Sequence, residues 1–250
     1  MHLDRRNDAF SRLIQDAAED FRQAAGKDDL WTRLNRQLGR FSITGSLYGA
    51  EAMPGPEQQA LVLLDSLKEG YVQAKLDEGL FYTDLFVQVG LTEPTPILWN
   101  DASRFPDLSA EEKRSLDMDW DFGITTGVTI PTRFAGGLGA GAHGCHADGL
   151  SWLEFDRVWT EHGDTIIAIV NAFDTALRRD HVGEIFPLTA EERQCLLWLA
   201  AGLSQKQVAD RLLLTDKQVE KRLGSARRKL KATTTIQAVA NALIFGLITP

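Results

Sequence analysis

The sequence is poor in cysteine and has no long apolar run. Two cysteines, Cys145 and Cys195, among 250 residues are too few for a disulfide framework and favour a reducing compartment. No stretch approaches the ~18 consecutive apolar residues of a membrane span, and the charged N-terminus lacks the apolar core of a signal peptide. These absences argue against a secreted disulfide scaffold and against membrane insertion, and they predict a soluble cytoplasmic protein.

The sequence also lacks the short motifs of common enzymes. It contains no G-x-S-x-G elbow, no H-E-x-x-H motif and no Walker loop. A "GAGAHG" segment (139–144) fits G-x-G-x-x-G, but no helix follows it to receive a phosphate. His143, Cys145, His146 and Asp148 alternate between the faces of a strand, so they do not converge on a metal. We therefore expect no catalysis, no metal and no resident cofactor.

Positive charge is scarce overall and concentrated near the end of the chain. The net charge is -8, yet residues 188–250 carry ten Lys/Arg against five Asp/Glu, and residues 1–187 carry 17 against 30. A basic segment attached to an acidic body suggests a module with an anionic partner, and nucleic acid is the first candidate.

Three helix starts are marked within the basic segment. Thr189, Ser204 and Thr215 are each followed three residues later by Glu or Gln, which is capping-box spacing. On a helix beginning at Thr215, an apolar stripe recurs at intervals of four, three and four residues, and basic side chains project from the other side. Almost no loop separates this helix from the preceding one. This pattern predicts a helix-turn-helix, whose second helix enters the DNA major groove.

Residues 188–250 resemble the LuxR-type helix-turn-helix domain over nearly their whole length. The resemblance rests on these residues: Leu188, Thr189, Glu192, Gly202, Val219, Lys229 and Leu230. The chain departs from the family at "LLLT" (212–215), where a Gly-Ile-Ser type of turn is common, and at Gln207 and Arg222, which replace Glu and His. We predict DNA contacts from the polar side chains of the two helices: Lys206, Lys217, Gln218, Lys221, Arg222, Ser225 and Arg228.

The N-terminal part mixes helices with paired strands. We expect helices around 66–78, 82–90 and 110–121, a long helix over 157–178, and an irregular linker over 178–187. The predicted fold class is an α+β N-terminal domain, an antiparallel sheet covered by helices on both faces, plus an all-α four-helix helix-turn-helix C-terminal domain. The predicted domains are residues 1–177 for ligand binding and dimerisation and 188–250 for DNA binding.

The segment "DWDFGITTGVTIP" (119–131) and the fifteen-residue spacing from Asp84 to Trp99 are similar to the acyl-homoserine-lactone-binding domain of quorum-sensing LuxR regulators. The resemblance covers about residues 10–175. It implies that Asp84 accepts the ligand amide N–H, that Trp99 packs against the lactone, and that His143 faces the ligand.

A stripe at i, i+4 and i+8 departs from this family. Leu67, Tyr71 and Lys75 stand where Tyr, Trp and Tyr are usual, and the spacing directs all three towards the sheet. An unpaired buried ammonium is costly, so Lys75 either pairs with Asp84, binds an acidic group of the ligand, or extends to solvent. If Lys75 pairs with Asp84, amide recognition is compromised.

Two functions fit these patterns. The first is a bacterial, homodimeric transcription regulator that binds double-stranded DNA and is controlled by a small acyl-homoserine-lactone-like signal. The second is a regulator that senses no lactone and inhibits a homologous LuxR-type regulator by heterodimerising, with its own DNA reading weakened by Glu220 and Gly224.

Overall fold

The computed structural model describes residues 2–53, 62–100 and 107–249, with side chains from residue 11 onward. Within these ranges five strands form one antiparallel sheet in the order β2-β1-β5-β4-β3. The strands are β1 (Gly45–Ala52), β2 (Val62–Asp65), β3 (Ile97–Leu98), β4 (Gly127–Phe134) and β5 (Gly139–His146). Side chains alternate between the two faces of the sheet, so each face contacts a different set of helices.

One face of the sheet carries the main core. It packs against α1 (His2–Arg22), α2 (Lys27–Gly39) and α6 (Trp152–Ala176). Tyr48 from β1 and Phe21 and Phe173 from the helices are at most 1% exposed, and their rings meet edge to face. Aromatic and aliphatic side chains fill this face of the sheet.

The opposite face is covered by three shorter helices. They are α3 (Tyr71–Asp77), α4 (Leu85–Thr92) and α5 (Ala110–Asp121). Ser109 and Glu112 form a capping box at the start of α5. The sheet is therefore covered by helices on both faces, and the predicted fold class is confirmed.

The helix predicted over 66–78 begins later than expected. Gly70 has a left-handed φ of 83°, which breaks the helical path, so α3 starts at Tyr71. Leu67 consequently lies before the helix, and the prediction that Leu67, Tyr71 and Lys75 form one helical stripe is wrong. The next helix starts at Leu85 because Asp84 is its N-cap.

The C-terminal region is helical. Its helices are α8 (Ala190–Ala200), α9 (Gln205–Leu212), α10 (Asp216–Lys229) and α11 (Thr235–Ile244). All three predicted capping boxes are present at Thr189, Ser204 and Thr215. The predicted stripe of α10 is at most 2% exposed and packs among these helices: Val219, Leu223, Ala226 and Leu230.

The segment predicted as an irregular linker is helical. After α6 the chain continues through a π-helical turn (Leu177–His181) and α7 (Val182–Ile185), and Pro187 follows where the helical path has ended. Phe186 at this end packs against Phe245, which follows α11, with 5.1 Å between ring centroids and a tilt of 52° between ring planes. Phe245 also meets Phe134 at the end of β4, at 5.4 Å. These rings join the C-terminal helices to the sheet.

In the described ranges, no helix combines the length and apolar character that a membrane crossing requires.

Candidate ligand cavity and DNA-binding surface

A cavity of about 70 Å³ lies between the sheet and helices α3 to α5. Its floor is made of small residues on β1 and β5, among them Gly49, Ala142 and Gly144. Its walls are mainly apolar, and the predicted residues Leu67, Tyr71, Lys75, Asp84 and Trp99 all line it. The structure thus brings together five of the six predicted ligand residues.

Lys75 is at the centre of a buried polar cluster. It is 1% exposed, and its Nζ lies 2.5 Å from Asp84 Oδ2 and 2.6 Å from Asp119 Oδ1. It also donates to the Ser115 hydroxyl at 2.5 Å and the Ser115 carbonyl at 3.0 Å. Of the three alternatives for Lys75, the structure has the pairing with Asp84, and every donor of the ammonium is used within the protein.

Asp84 has no acceptor position left for a ligand. Its Oδ1 accepts from the backbone N–H groups of Phe86 at 2.9 Å and Val87 at 3.1 Å, which is how it caps α4. Its Oδ2 accepts from Lys75 and, at 3.1 Å, from the Ser115 hydroxyl. Since each carboxylate oxygen has two lone-pair sites, all four are occupied. This arrangement closes the position that the resemblance assigns to the ligand amide.

Tyr71 and Asp119 complete the cluster. The Tyr71 hydroxyl donates to Asp119 Oδ1 at 2.6 Å. Burial, followed by the nearby charge of Asp84, raises the pKa of Asp119 to about 7. Burial likewise raises the pKa of Tyr71, so its phenol stays protonated at any physiological pH. The hydroxyl oxygen of Tyr71 keeps an acceptor position.

Sequence reasoning missed Ser115 and Asp119 as site residues. They lie four residues apart on α5 and are 0% and 4% exposed. Two polar residues at helical spacing on a buried face are the signal that could have identified them.

Trp99 forms one wall of the cavity. Its indole Nε1 donates to Thr129 Oγ1 at 2.9 Å, and its ring lies 3.6 Å from the position that a Cβ on Gly144 would take. At Gly127 a Cβ would approach Trp99 to 2.7 Å and the Cys145 carbonyl to 2.2 Å, so only glycine fits there. Thr129 also lines the cavity. Because its hydroxyl oxygen accepts from Trp99, the hydroxyl proton remains available to donate into the cavity.

His143 does not line the cavity, and the prediction that it does is wrong. It pairs across the sheet with Tyr48 and stacks on that ring at 4.3 Å between centroids, on the face occupied by Phe173. Its neighbours Ala142 and Gly144 point into the cavity instead, because side chains alternate along β5. Burial lowers the pKa of His143 to about 3, so its ring is neutral.

Glu51 on β1 also lines the cavity, and sequence reasoning missed it. It is 3% exposed, and burial raises its pKa to about 7. No group of three or more His, Cys, Asp or Glu side chains is placed to hold a metal ion in the ranges that the structure describes.

The predicted DNA contacts divide into two groups. The first projects from α9 and α10 into solvent: Lys206, Lys217, Gln218, Lys221 and Arg228. Gln218 uses its amide oxygen in the cap with Thr215, at 2.8 Å from the Thr215 N–H, and keeps its amide N–H groups free. These side chains give α10 a basic exposed face.

Arg222 and Ser225 are half-buried and lie against α8. Arg222 lies near the Cys195 thiol, and Ser225 lies near the Glu192 carboxylate. Burial acts to raise the pKa of Glu192, but Lys229 and then Ser225 lower it below its usual value. Lys229 also pairs with Glu192 at 2.8 Å. Contacts with α8 thus leave both side chains only half-exposed, and their contact with DNA stays a prediction.

Comparison with known proteins identifies both regions. Residues 26–177 match the autoinducer binding domain family, and residues 187–242 match the bacterial regulatory proteins of the luxR family. The chain belongs to the LuxR-type regulators. It is accordingly a quorum-sensing transcriptional regulator with an autoinducer-binding domain and a DNA-binding helix-turn-helix.

The relatives of this LuxR-type regulator match it almost end to end. The transcriptional activator VanR of Vibrio anguillarum is 26% identical over 243 residues, covering 96% of this chain and 97% of VanR. SolR of Ralstonia solanacearum is 26% identical over 250 residues, covering 94% and 98%. The solved structure of SdiA in complex with octanoyl-rac-glycerol superposes with a TM-score of 0.61 at 15% identity, covering 96% and 97%.

Proposed function

We propose that the signal of this LuxR-type regulator is an acyl-homoserine lactone or a close analogue, bound in the cavity over the small-residue floor. The observation that carries the proposal is an apolar cavity with polar groups gathered at one end, inside a domain of the autoinducer-binding family. The SdiA complex with octanoyl-rac-glycerol supports an acyl chain as the common element of such ligands.

Recognition of the head group differs from what the resemblance implies. Because Lys75 and Ser115 saturate Asp84, the ligand amide N–H is accepted by the Tyr71 hydroxyl oxygen, and a ligand carbonyl accepts from the Thr129 hydroxyl. Trp99 packs against the ring, and Leu67 covers it. Lys75 and Asp84 act as positioning residues that hold Tyr71 through Asp119.

The thermal unfolding midpoint in the presence of acyl-homoserine lactones of several chain lengths tests this proposal. A ligand that binds only the folded state adds about 2.7 kcal/mol at a hundred times its Kd. Tyr71→Phe and Thr129→Val should each weaken binding about tenfold, while the exposed control Lys113→Met should bind as the wild type does. Absence of any shift across the series, with a well-folded protein, would contradict the proposal.

The DNA-bound form is proposed to be a homodimer that reads a two-fold operator with one α10 in each half-site. An exposed apolar stripe on α11 supports dimerisation: Ile236 is 83% and Leu243 37% exposed, and Val239 lies between them. Leu247 is buried within the protomer and belongs to the core. Changing Ile236 and Leu243 together to Ser should convert a dimer to a monomer in sedimentation, and a monomeric wild type would contradict this part.

DNA binding is assigned to the exposed basic face of α10. Changing Lys217, Lys221 and Arg228 to Ala should lower the dependence of log affinity on log salt by about three. Glu111→Ala and Lys113→Ala, on exposed positions of the N-terminal region, serve as controls. Unchanged operator affinity in the triple variant would place the DNA surface elsewhere.

A second function is favoured by the closed polar cluster. The regulator would sense no lactone and would inhibit a homologous regulator by heterodimerising, its own DNA reading weakened by Glu220, which is exposed on α10, and by Gly224. A stable homodimer with nanomolar, sequence-selective DNA binding would contradict this alternative.

A further inference from the structure

Glu51 is a buried carboxylate that makes no hydrogen bond with any described part of the chain. It is 3% exposed and its side chain lines the cavity. The other two carboxylates of the cavity, Asp84 and Asp119, each accept from side-chain donors within 2.6 Å. Burial of a carboxylate without a donor is costly, so the absence of a donor to Glu51 from the described residues requires an explanation.

The sheet register places Glu51 at the opposite end of the cavity from Trp99. Leu47 pairs with Gly144, and a Cβ on Gly144 would lie 3.6 Å from the Trp99 ring. Glu51 pairs with Ala140, farther along the same two strands. Four residues along β1 separate the two rows, a distance of about 13 Å. The cavity therefore has polar groups at both ends and the small residues Gly49 and Ala142 between them.

Among the residues that the structure describes, the charged and polar side chains near Glu51 donate no hydrogen bond to it. Arg133 lies in the same row of the sheet, two strands away, but its guanidinium donates to backbone carbonyls, including those of Leu91 at 2.9 Å and Glu93 at 2.8 Å. Burial and the charge of Glu51 raise the pKa of Tyr82, which places that phenol within electrostatic range without a hydrogen bond to Glu51. No side chain in the described ranges therefore donates to the Glu51 carboxylate, which lines the cavity and can accept from what occupies it.

We propose that Glu51 binds a hydrogen-bond donor on the distal part of the signal, so that the ligand is an acyl compound with a hydroxyl or amino group far along its chain. The inference rests on the proposed function, because it assumes an acyl ligand with its head at Tyr71 and Trp99. A plain alkyl tail would leave the carboxylate unpaired and would remove it from the little water that the cavity admits.

A matched pair of ligands tests the proposal. N-decanoyl-L-homoserine lactone and its 10-hydroxy derivative have the same chain length, about that of the distance between the two rows. The wild type should bind the hydroxy compound at least tenfold more tightly than the plain one in calorimetric titration. Glu51→Leu should reverse the preference to at least tenfold in favour of the plain chain, whereas the exposed control Glu69→Leu should keep it. The 10-amino derivative carries an ammonium in place of the neutral hydroxyl, so comparing its affinity with that of the 10-hydroxy compound shows which kind of donor Glu51 prefers.

Glu51→Gln covers the case in which Glu51→Leu does not fold. Its amide oxygen still accepts a hydrogen bond, so hydroxy-chain binding should persist while 10-amino binding falls at least tenfold. Equal binding of both chains by the wild type, or an unchanged preference in Glu51→Leu, would overturn this inference and leave the proposed function standing. Failure of the wild type and Glu51→Leu to bind any of the three lactones would overturn the proposed function and this inference with it.

Discussion

The DNA-binding helices and the ligand cavity differ in how far apart in sequence their defining contacts lie. Each capping box of α8, α9 and α10 joins residues three positions apart. The polar cluster of the cavity joins Lys75 to Ser115, forty positions away, and the stack behind the sheet joins Tyr48 to Phe173.

This difference decides which region a short sequence window can describe. A capping box involves only four consecutive residues, so its hydrogen bonds can stabilise the helix start before any tertiary contact forms. The cluster around Lys75 exists only when α3, α4 and α5 have packed on the sheet, and its stability depends on every member being present. We therefore expect substitutions in the cavity to have larger and less local effects than those in the caps.

The largest effect is expected from Lys75→Met. Removal of the ammonium leaves Asp84 and Asp119 buried close together without their cation, and loss of one partner of a buried pair costs about 3–5 kcal/mol. Urea unfolding at neutral pH measures the change, and Lys113→Met, on an exposed position, should stay within about 0.5 kcal/mol of the wild type. A loss smaller than 1 kcal/mol would mean that the cluster does not hold this face together.

A smaller effect is expected from Thr215→Ala. The change removes the hydroxyl that accepts from the Gln218 N–H at the start of α10 and should cost about 1 kcal/mol. Thr215→Ser, which keeps the hydroxyl, is the matched control. If both variants lose the same stability in urea, loss of the cap hydrogen bond is not the cause of the destabilisation. The view that local contacts stabilise the start of α10 would then be contradicted.

Leu213→Gly is expected to stabilise the protein. Leu213 is the C-cap of α9, has a left-handed φ of 53° and is 94% exposed, so its side chain gains nothing from burial. Relief of the left-handed strain, roughly 1–2 kcal/mol, is offset in part by the greater flexibility of glycine, which leaves a gain of about 0.5–1 kcal/mol. Leu213→Ala keeps the strain and should show no such gain. Equal stability of all three proteins would contradict a strained turn.

A pH dependence of stability is also expected. The folded protein raises the pKa of Glu51 to about 7, so the folded state holds a proton that the unfolded chain releases above the usual value of 4.5. This group therefore makes the free energy of unfolding fall as pH rises from about 4.5 to 7. Glu51→Gln removes that slope, so its stability relative to the wild type should increase between pH 5 and pH 8. A constant difference in urea unfolding would show that Glu51 titrates normally.

The sequence predicted the helices of the C-terminal region well because their signals are local. Thr189, Ser204 and Thr215 marked their starts correctly, and the buried stripe of α10 followed from spacing alone. Spacing on one helix could not show that α8 packs beside Arg222 and Ser225 and leaves both side chains half-buried.

Prediction of the cavity was less complete for the same reason. Family spacing placed Tyr71, Asp84 and Trp99 among the residues that line the cavity. The cost of an unpaired ammonium left three alternatives for Lys75, of which the structure has the pair with Asp84. The strand position of His143 was assigned to the wrong face, since a register cannot be read from one strand. Glu51 carries no motif, and Asp119 was noted only as the first residue of the segment 119–131, so the burial of their carboxyl groups is what reveals them as cavity residues.

The contacts among the rings of Phe134, Phe186 and Phe245 predict where mutations that alter the response to the signal will arise. Phe134 ends the same strand that carries Thr129 in the cavity, and its ring touches Phe245 of the C-terminal segment. Five residues of one strand, about 17 Å, separate the cavity from that contact. Selection for altered signal dependence should consequently recover substitutions at Phe245, near the end of the chain, in a residue that touches neither ligand nor DNA.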